Sequence, residues 1–431
     1  MSTPATSRSG SMSPRSLLPA LFVLTYPALS LLVHGGASAL SIAAAIISLA
    51  VLLAPTSWTG LPPVHWDRNE TRLCVALASP LAAVLICSLA HWHIVLSTLD
   101  SPSRFLAAVS LLLVLRQCST RSLAWADLSF ALGALASFGI VLLVPRDWGH
   151  GRLSSPFLNP IHFGDIALAL GALSVLSLNW WKKDPLPVRI LKVAGLFAGL
   201  STSLLSGARG GWLAVPVIVV MSLYVRSRGK SRRWKVLMPL AAVAILASVY
   251  TFSPTARDRI DMVSSDLTQY SQGNKDTSLG VRLQLYEAAL TLVRRHPVFG
   301  LGGEGFSDAM SSLAAEGAIT PLAAQFGKGE THNELLAYVA NYGVVGGLAL
   351  LAIYVAPGMF FWRCMNTAAG PERRAAMMGL TFVVAFSIFG LTVETFDLKA
   401  TVAFYSTIVA ILAGISSHIG ATRAHRRTFP Q

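Results

Sequence analysis

The sequence predicts an all-α protein that crosses a membrane many times, with about twelve spanning helices and a helical cap on the external face. Three observations support this fold class. Hydrophobic residues make up 53% of the 431 residues and charged residues only 13%, which is about half of the charged share of a soluble domain. Apolar runs near the length of a membrane helix recur along the chain. One connection of about 80 residues interrupts them. This pattern excludes a conventional cytosolic enzyme.

The spans follow from the length that a helix needs to cross a bilayer, about 20 apolar residues. Twelve segments reach or approach it, at about residues 16–34, 37–54, 73–91, 104–117, 122–144, 161–179, 189–205, 211–225, 235–252, 334–356, 375–393 and 400–418. The first is expected to stay as an anchor and not to be cleaved as a signal peptide, because a second apolar run follows at once. The fourth and eighth are short, and only residues 206–210 separate the seventh from the eighth. This last pair is therefore expected to bend.

Positive charge predicts the orientation. With the N-terminus inside, 22 of the 34 Lys and Arg residues fall on the cytoplasmic side, and only five fall in the short external loops. Basic residues are retained in the cytoplasm during insertion, so both termini are predicted to be cytoplasmic. The net charge of +14 then reflects topology, and no nucleic-acid partner is needed to explain it.

The long connection gives the predicted domain division. Residues 1–252 hold spans one to nine, residues 253–332 form an external cap, and residues 333–431 hold the last three spans and a cytoplasmic tail. A transporter built from two six-helix halves would have its long connection after the sixth span. The position after the ninth span therefore disfavours a transporter, which remains the alternative from another functional class.

Within the cap, apolar residues recur at helical spacing and predict an amphipathic helix over 278–295; they are Leu279, Leu283, Tyr286, Leu290 and Val293. Ser278 is a candidate N-cap, and Arg282 and Glu287 lie off this stripe, where they could face a cleft. Residues 300–305 fit G-x-G-x-x-G, but no strand precedes them. A tight backbone turn or a hinge is therefore predicted there, and not a dinucleotide site.

Several polar residues near the predicted external face are candidates for chemistry. His332 stands where the cap re-enters the membrane and can carry a proton near neutral pH. Gly343 and Gly346 follow at a spacing typical of close helix packing. Arg209 is costly near apolar surroundings unless an anion pairs with it or it reaches the interface. Weaker candidates have ordinary structural explanations: Arg146 and Arg152 as solvated loop residues, His162 and Asp165 as helix caps, and Glu394 and Asp397 as partners of cap arginines.

Three of these segments carry a resemblance to a known family. His332-Asn333, nine residues, Gly343, two residues and Gly346 match the H-N-x9-G-x-x-G pattern of the O-antigen ligase and polymerase superfamily. The chain also resembles this family at residues 206–211, and at Arg282 followed by residues 296–302. The resemblance covers about residues 200–350, and the first five spans match by hydropathy only. Ala208 departs from the pattern, because many relatives have a serine there.

The resemblance implies a GT-C-like membrane glycosyltransferase in the bacterial inner membrane, with its active site in the periplasm. The donor would be a glycan on undecaprenyl pyrophosphate, and the acceptor a sugar of lipid A-core. The reaction would invert the anomeric centre and would need no metal and no cofactor. The sequence agrees, since D-x-D, Walker A and H-E-x-x-H motifs are absent from it. Membrane lipids are the remaining expected partners.

The resemblance also implies roles for individual residues. His332 would take the proton from the acceptor hydroxyl, while Arg282 and Arg209 would hold the pyrophosphate. Asn333, Arg146 and Arg152 are the further candidates for substrate binding. Two neighbouring activities stay open: an O-antigen polymerase, which extends another lipid-linked glycan, and an oligosaccharyltransferase that acts on periplasmic proteins.

Overall fold

The computed structural model describes residues 14–59, 66–149, 151–208, 210–227 and 264–428, with isolated positions at 233, 236, 237 and 240. Most of these residues are helical. One short antiparallel ribbon pairs Arg146–Asp147 with Leu153–Ser154. The helices are Pro14–Leu32, Gly36–Leu53, Thr56–Thr59, Arg68–Ala90, Leu96–Leu115, Thr120–Leu123, Ala126–Leu143, Pro160–Leu176, Leu186–Ser206, Ala214–Ser227, Ser278–Arg295, Gly305–Ala315, Pro321–Gly327, Glu334–Thr367, Gly370–Phe389 and Lys399–Thr428, with a 3₁₀ turn at Gly210–Leu213. Residues 264–271 are helical as well.

Among the described residues, seven helical stretches are long and apolar enough to span a membrane. Three shorter apolar helices, Leu17–Leu32, Pro160–Leu176 and Gly210–Met221, match the predicted first, sixth and eighth spans, and Gly370–Phe389 matches the eleventh. The predicted ninth span, at 235–252, lies almost wholly outside the described residues. An all-α, multi-pass membrane protein is therefore confirmed. The count of twelve spans and the domain division stay predictions.

The last helix lies at the centre of the bundle. Every residue from Thr401 to Ser416 is buried, and the helix packs against Gly36–Leu53, Leu96–Leu115 and Gly370–Phe389. Small residues and hydroxyls allow the close approach: the side chains of Ser41 and Thr407 share a hydrogen bond of 2.7 Å. The chain just before this helix is therefore held at one end of the bundle core.

Residues 264–331, called the connecting segment below, have a separate core. The helices Ser278–Arg295, Gly305–Ala315 and Pro321–Gly327 enclose its buried side chains, among them Leu285, Leu292 and Met310. Ala340, from the helix Glu334–Thr367, completes the cluster. Through this shared packing, the connecting segment contacts the first turns of the helix Glu334–Thr367.

The helix Ser278–Arg295, called the connecting helix, has the predicted bounds but a different buried face. Its packed residues include Val281, Leu285, Ala288 and Leu292, whereas the predicted stripe is only partly buried and Leu290 is exposed. Ala288 and Ala289 on this face allow the neighbouring helices to approach closely. The N-cap prediction was wrong by one residue, since the side chain of Thr277, and not that of Ser278, accepts the amide of Gly280.

Candidate functional site

Residues 331–333 form the entry to the helix Glu334–Thr367. The side-chain oxygen of Asn333 accepts the amide of Leu336 at 3.0 Å, which satisfies an otherwise free donor of the first turn. The Asn333 amide donates to the Leu391 carbonyl at 3.4 Å. His332, just before the cap, has a φ of 61°, a conformation that few residues other than glycine adopt. Asn333 thus has a local structural role, and its contact with substrate stays a prediction.

His332 is held between a partly buried carboxylate and the connecting helix. Its Nδ1 lies 3.5 Å from Oε1 of Glu330, close enough for charge attraction but without hydrogen-bond geometry. The hydroxyl of Tyr286, on the connecting helix, donates to the His332 carbonyl at 3.1 Å. Burial raises the pKa of Glu330, but the neighbouring His332 and the amide of Glu394 lower it more, so that the pKa lies below its ordinary value. Glu330 is therefore ionised beside the imidazole.

Glu394 joins this entry to the loop after the helix Gly370–Phe389. Its carboxylate accepts the amide of Thr331, its own amide donates to Glu330 at 2.9 Å, and its carbonyl lies 3.1 Å from Nε2 of His162. Among the described residues, the partners of Glu394 are backbone groups, Glu330 and His162, and no cap arginine is among them. Burial raises the pKa of Glu394 to about 7, and the nearby carboxylates of Glu330 and Asp397 add to the rise.

The raised pKa of Glu394 predicts a pH-dependent stability. Since the pKa rises from 4.5 to about 7 on folding, the folded chain binds the extra proton between these values. The free energy of unfolding should therefore fall as the pH rises from 5 to 8, by up to roughly 3 kcal/mol from this group. Thermal unfolding of the detergent-solubilised protein across this range measures the effect.

Glu394→Gln keeps a hydrogen-bond acceptor without the titration, so it should flatten the slope between pH 5 and 8. The lowered pKa of Glu330 has the opposite effect on the free energy of unfolding. The stability that ionised Glu330 contributes is lost only as the pH falls below the ordinary pKa of a glutamate. Glu316→Gln, which changes an exposed carboxylate of the connecting segment, is the control. An unchanged slope in Glu394→Gln would contradict the assignment.

Arg282 lies one helical turn before Tyr286 on the connecting helix, on the same face. The Tyr286 hydrogen bond to His332 therefore brings the helix surface that carries Arg282 to the histidine. Arg282 is partly buried, and its guanidinium forms no hydrogen bond or ion pair within the described part of the chain. Glu287, which the sequence also directs to a cleft, instead accepts the Tyr270 hydroxyl at 3.3 Å. Arg282 is thus an arginine on the helix that contacts His332, and no described residue takes up its hydrogen-bond donors.

The helix Glu334–Thr367 is broken at Gly343, which has φ 60° and ψ −155°. Residues 297–302 of the connecting segment enter this break and bond to the opened backbone. Val344 donates to Pro297 at 2.8 Å, and Gly302 donates to the Asn341 carbonyl at 2.8 Å. Gly300 and Gly302 both have positive φ, so the tight turn predicted there is confirmed. Gly343 therefore marks the point where residues 297–302 bond to the helix. The prediction that it serves only close packing between helices was wrong.

Gly343→Ala is expected to separate the connecting segment from the bundle. A Cβ at this position would lie 2.3 Å from the carbonyl of Val298, and only glycine adopts this backbone conformation readily. We expect a loss of roughly 3 kcal/mol of stability together with most of the activity. Gly358→Ala is the matched control on the same helix, because its Cβ would meet nothing closer than 4.0 Å. Equal melting temperatures of the two variants would contradict this role of Gly343.

The arginines of the ribbon lie in a second region. Arg146 stacks 4.1 Å above the ring of Trp148 and donates to the Pro156 carbonyl at 3.0 Å. The side chain of Arg152 lies against Gly207, where an added Cβ would be 3.2 Å from its Cγ. Arg152 is therefore close to the family-like segment 206–211. Arg209, the predicted pyrophosphate ligand in that segment, lies outside the described residues.

The start of the helix Pro160–Leu176 connects the two regions. The side chain of Asn159 caps this helix, so the prediction that His162 and Asp165 are caps was wrong. His162 instead contacts Glu394. Asp165 is buried, and neither of its oxygens has a hydrogen-bond partner in the described structure. An added Cβ at Gly211 would lie 2.1 Å from Asp165 Oδ1, so glycine is needed for this approach.

The structure thus brings His332 and Asn333 together with the surface that carries Arg282. Sequence reasoning missed Glu330 and gave Tyr286 only a packing role. The signal for Glu330 was its place two residues before His332, since a carboxylate often orients a catalytic imidazole. Among the described residues, no group of three or more His, Cys, Asp and Glu side chains is arranged to hold a metal ion.

Comparisons with known proteins agree with the segments singled out above. A family model described as O-Antigen ligase matches residues 194–351. The chain is 27% identical over 307 residues to a protein of Haemophilus influenzae described as uncharacterized, covering 69% of this chain and 74% of that protein. It is also 27% identical over 188 residues to the O-antigen ligase of Escherichia coli, covering 43% of this chain and 44% of that enzyme.

Proposed function

We propose that this chain is an O-antigen ligase, which transfers a glycan from undecaprenyl pyrophosphate to a sugar of lipid A-core; the family model over residues 194–351 and the similarity to the Escherichia coli ligase support the proposal. The transfer takes place on the periplasmic face of the inner membrane and inverts the anomeric centre. Neither a metal ion nor a cofactor takes part. The observation that carries this proposal is the constrained His332, with an ionised carboxylate on one side and an arginine-bearing helix on the other.

His332 is the general base. Its Nε2 takes the proton from the acceptor hydroxyl while that oxygen forms a bond to the anomeric carbon. The bond between the anomeric carbon and the phosphate oxygen breaks, and undecaprenyl pyrophosphate leaves with the electron pair. Glu330, 3.5 Å from Nδ1, is a positioning residue: it favours the tautomer with a proton on Nδ1 and stabilises the imidazolium that forms.

Arg282 and Arg209 neutralise the pyrophosphate. An arginine offers a forked pair of donors that matches two phosphate oxygens, and charge developing on a leaving group is stabilised most by donors already in position. The lack of a hydrogen-bond partner for Arg282 among the described residues supports this role. The approach of Arg152 to Gly207 supports a further cation beside the segment that contains Arg209.

The lipopolysaccharide of a deletion strain tests the proposed reaction. Loss of all O-antigen from the lipopolysaccharide, with polymerised glycan retained on undecaprenyl pyrophosphate, is the expected result. Lipopolysaccharide carrying a single repeat would instead indicate a polymerase. Intact lipopolysaccharide with loss of glycoproteins would indicate transfer to protein. Either of these two results would overturn the proposal.

A further inference from the structure

A cavity of about 230 Å³ lies beside the entry to the helix Glu334–Thr367. The first turns of that helix form one wall, the start of the helix Leu96–Leu115 a second, and the loop after Gly390 a third. Pockets for drug-sized ligands have about 300–1,000 Å³, so this cavity suits one ring of a ligand that continues outside it. The mechanism above assigns it no role.

The described residues of the cavity offer no positive charge that would neutralise a phosphate. Four carboxylates line it, those of Glu304, Glu334, Glu394 and Asp397, and no lysine or arginine is among its described lining residues. Arg104 and Lys399 stand on adjoining helices, but both pair with Asp100. An anionic group would meet no cation among the described lining residues, and those of the carboxylates that are ionised would repel it. Groups that donate hydrogen bonds, as sugar hydroxyls do, would be accepted.

A tyrosine of the cavity has hydrogen-bonding capacity to spare. Tyr338 is 9% exposed and lines the cavity, yet its hydroxyl forms no hydrogen bond with any described residue. A buried tyrosine hydroxyl usually has a partner. Its ring stands edge-on to that of Tyr342, with 5.9 Å between the centroids. The cavity thus offers an unused hydroxyl and two aromatic rings, a combination suited to a sugar ring.

The cavity adjoins the histidine through shared residues. Glu394 lines it and also binds the amide of Thr331, the residue before His332. Glu334, which lines it as well, accepts the amide of Phe396 at 2.9 Å and donates its own amide to the Gly390 carbonyl. A ligand ring in the cavity is therefore held by the same loop and helix start that position His332.

We propose that this cavity is a subsite for an uncharged, unphosphorylated sugar ring, bound through hydroxyls that donate to its carboxylates and through Tyr338. The inference rests on the proposed glycosyl transfer and adds where one saccharide unit binds and which sugars are rejected. The ring belongs either to the acceptor oligosaccharide or to the glycan of the donor. Both sources present the same sugar hydroxyls, and the KM values for acceptor and donor distinguish them.

The first experiment measures binding by titration calorimetry with the purified, detergent-solubilised protein. The probes are a lipid-free neutral core oligosaccharide and the same oligosaccharide bearing a phosphate on its terminal ring. The wild type should bind the neutral probe at least about tenfold more tightly, because of the carboxylates. Glu304→Gln, at the rim, should narrow this preference. Equal binding of both probes by the wild type would overturn the proposal.

The second experiment uses Tyr338→Phe, which removes only the hydroxyl. The loss of one neutral hydrogen bond should weaken binding of the neutral probe about three- to tenfold and raise one KM with kcat little changed. A raised acceptor KM assigns the ring to the acceptor, and a raised donor KM to the donor glycan. Tyr354→Phe, on the same helix but outside the cavity lining, is the control and should behave as the wild type.

Wild-type binding and wild-type values of both KM in Tyr338→Phe would overturn the subsite, even though transfer proceeds normally. Failure of the proposed function has a different signature. In that case the wild type transfers no glycan to lipid A-core under any condition, whereas binding of the neutral probe can still be measured and compared between variants.

Discussion

His332→Ala is expected to lower transfer about 10²- to 10⁴-fold, the usual contribution of a positioned general base. Histidine is the residue that most often serves as a general base in enzymes, and alanine leaves the acceptor hydroxyl without a proton acceptor. The measurement is the initial rate of glycan transfer by purified protein, with expression in the membrane and the melting temperature compared in parallel.

The control for His332→Ala is His93→Ala, which removes an exposed histidine of the loop before the helix Leu96–Leu115. His93→Ala should transfer at the wild-type rate. A similar rate in His332→Ala, with normal membrane insertion, would contradict the role of His332 as the base. If the rate is lost and the melting temperature falls as well, the cause would be the strained backbone at φ 61°. Asparagine tolerates that conformation better, so His332→Asn separates loss of the base from loss of stability.

Arg282→Ala should lower transfer about 10²- to 10³-fold, as removal of a donor to developing negative charge does elsewhere. The effect should fall mainly on kcat, because the charge on the pyrophosphate increases as the glycosidic bond breaks. Arg282→Lys keeps the charge but not the forked pair of donors, so it should recover only part of the rate.

Arg294→Ala is the matched control for Arg282, because Arg294 is exposed near the end of the same helix, about 18 Å further along its axis. It should be fully active. Full activity in Arg282→Ala as well would contradict a pyrophosphate site on this helix, whereas equal losses in both variants would indicate a general effect of charge on the connecting helix.

The elements of the fold with strong local signals were predictable. Helical periodicity predicted the bounds of the helix Ser278–Arg295, because it is a local property of the chain. Its buried face was not predictable, since two adjacent stripes are apolar and only tertiary packing selects the one with Ala288 and Ala289. Nor does hydropathy distinguish the buried last helix from one that faces lipid, because both environments accept the same residues.

The identity of several residues of the candidate site could be predicted from the sequence, but most of their spatial arrangement could not. His332 and Arg282 come from the family resemblance, and Asn333 precedes a helix as capping residues do. The break at Gly343 depends on residues 297–302 arriving from a distant part of the chain, so the glycine spacing alone suggested helix packing. The contacts of Glu394 with Thr331 and Glu330 are likewise non-local. Its burial, which raises its pKa, cannot be seen in a loop sequence.

The central claim is transfer of a glycan from undecaprenyl pyrophosphate to lipid A-core by His332 and arginines without a metal ion. Reconstitution with both purified substrates in liposomes, with and without EDTA, tests it most directly. We expect inverted linkage of the glycan to lipid A-core at the same rate in both conditions, and its loss in His332→Ala. A strict requirement for a divalent cation, or transfer that survives in His332→Ala, would contradict the account.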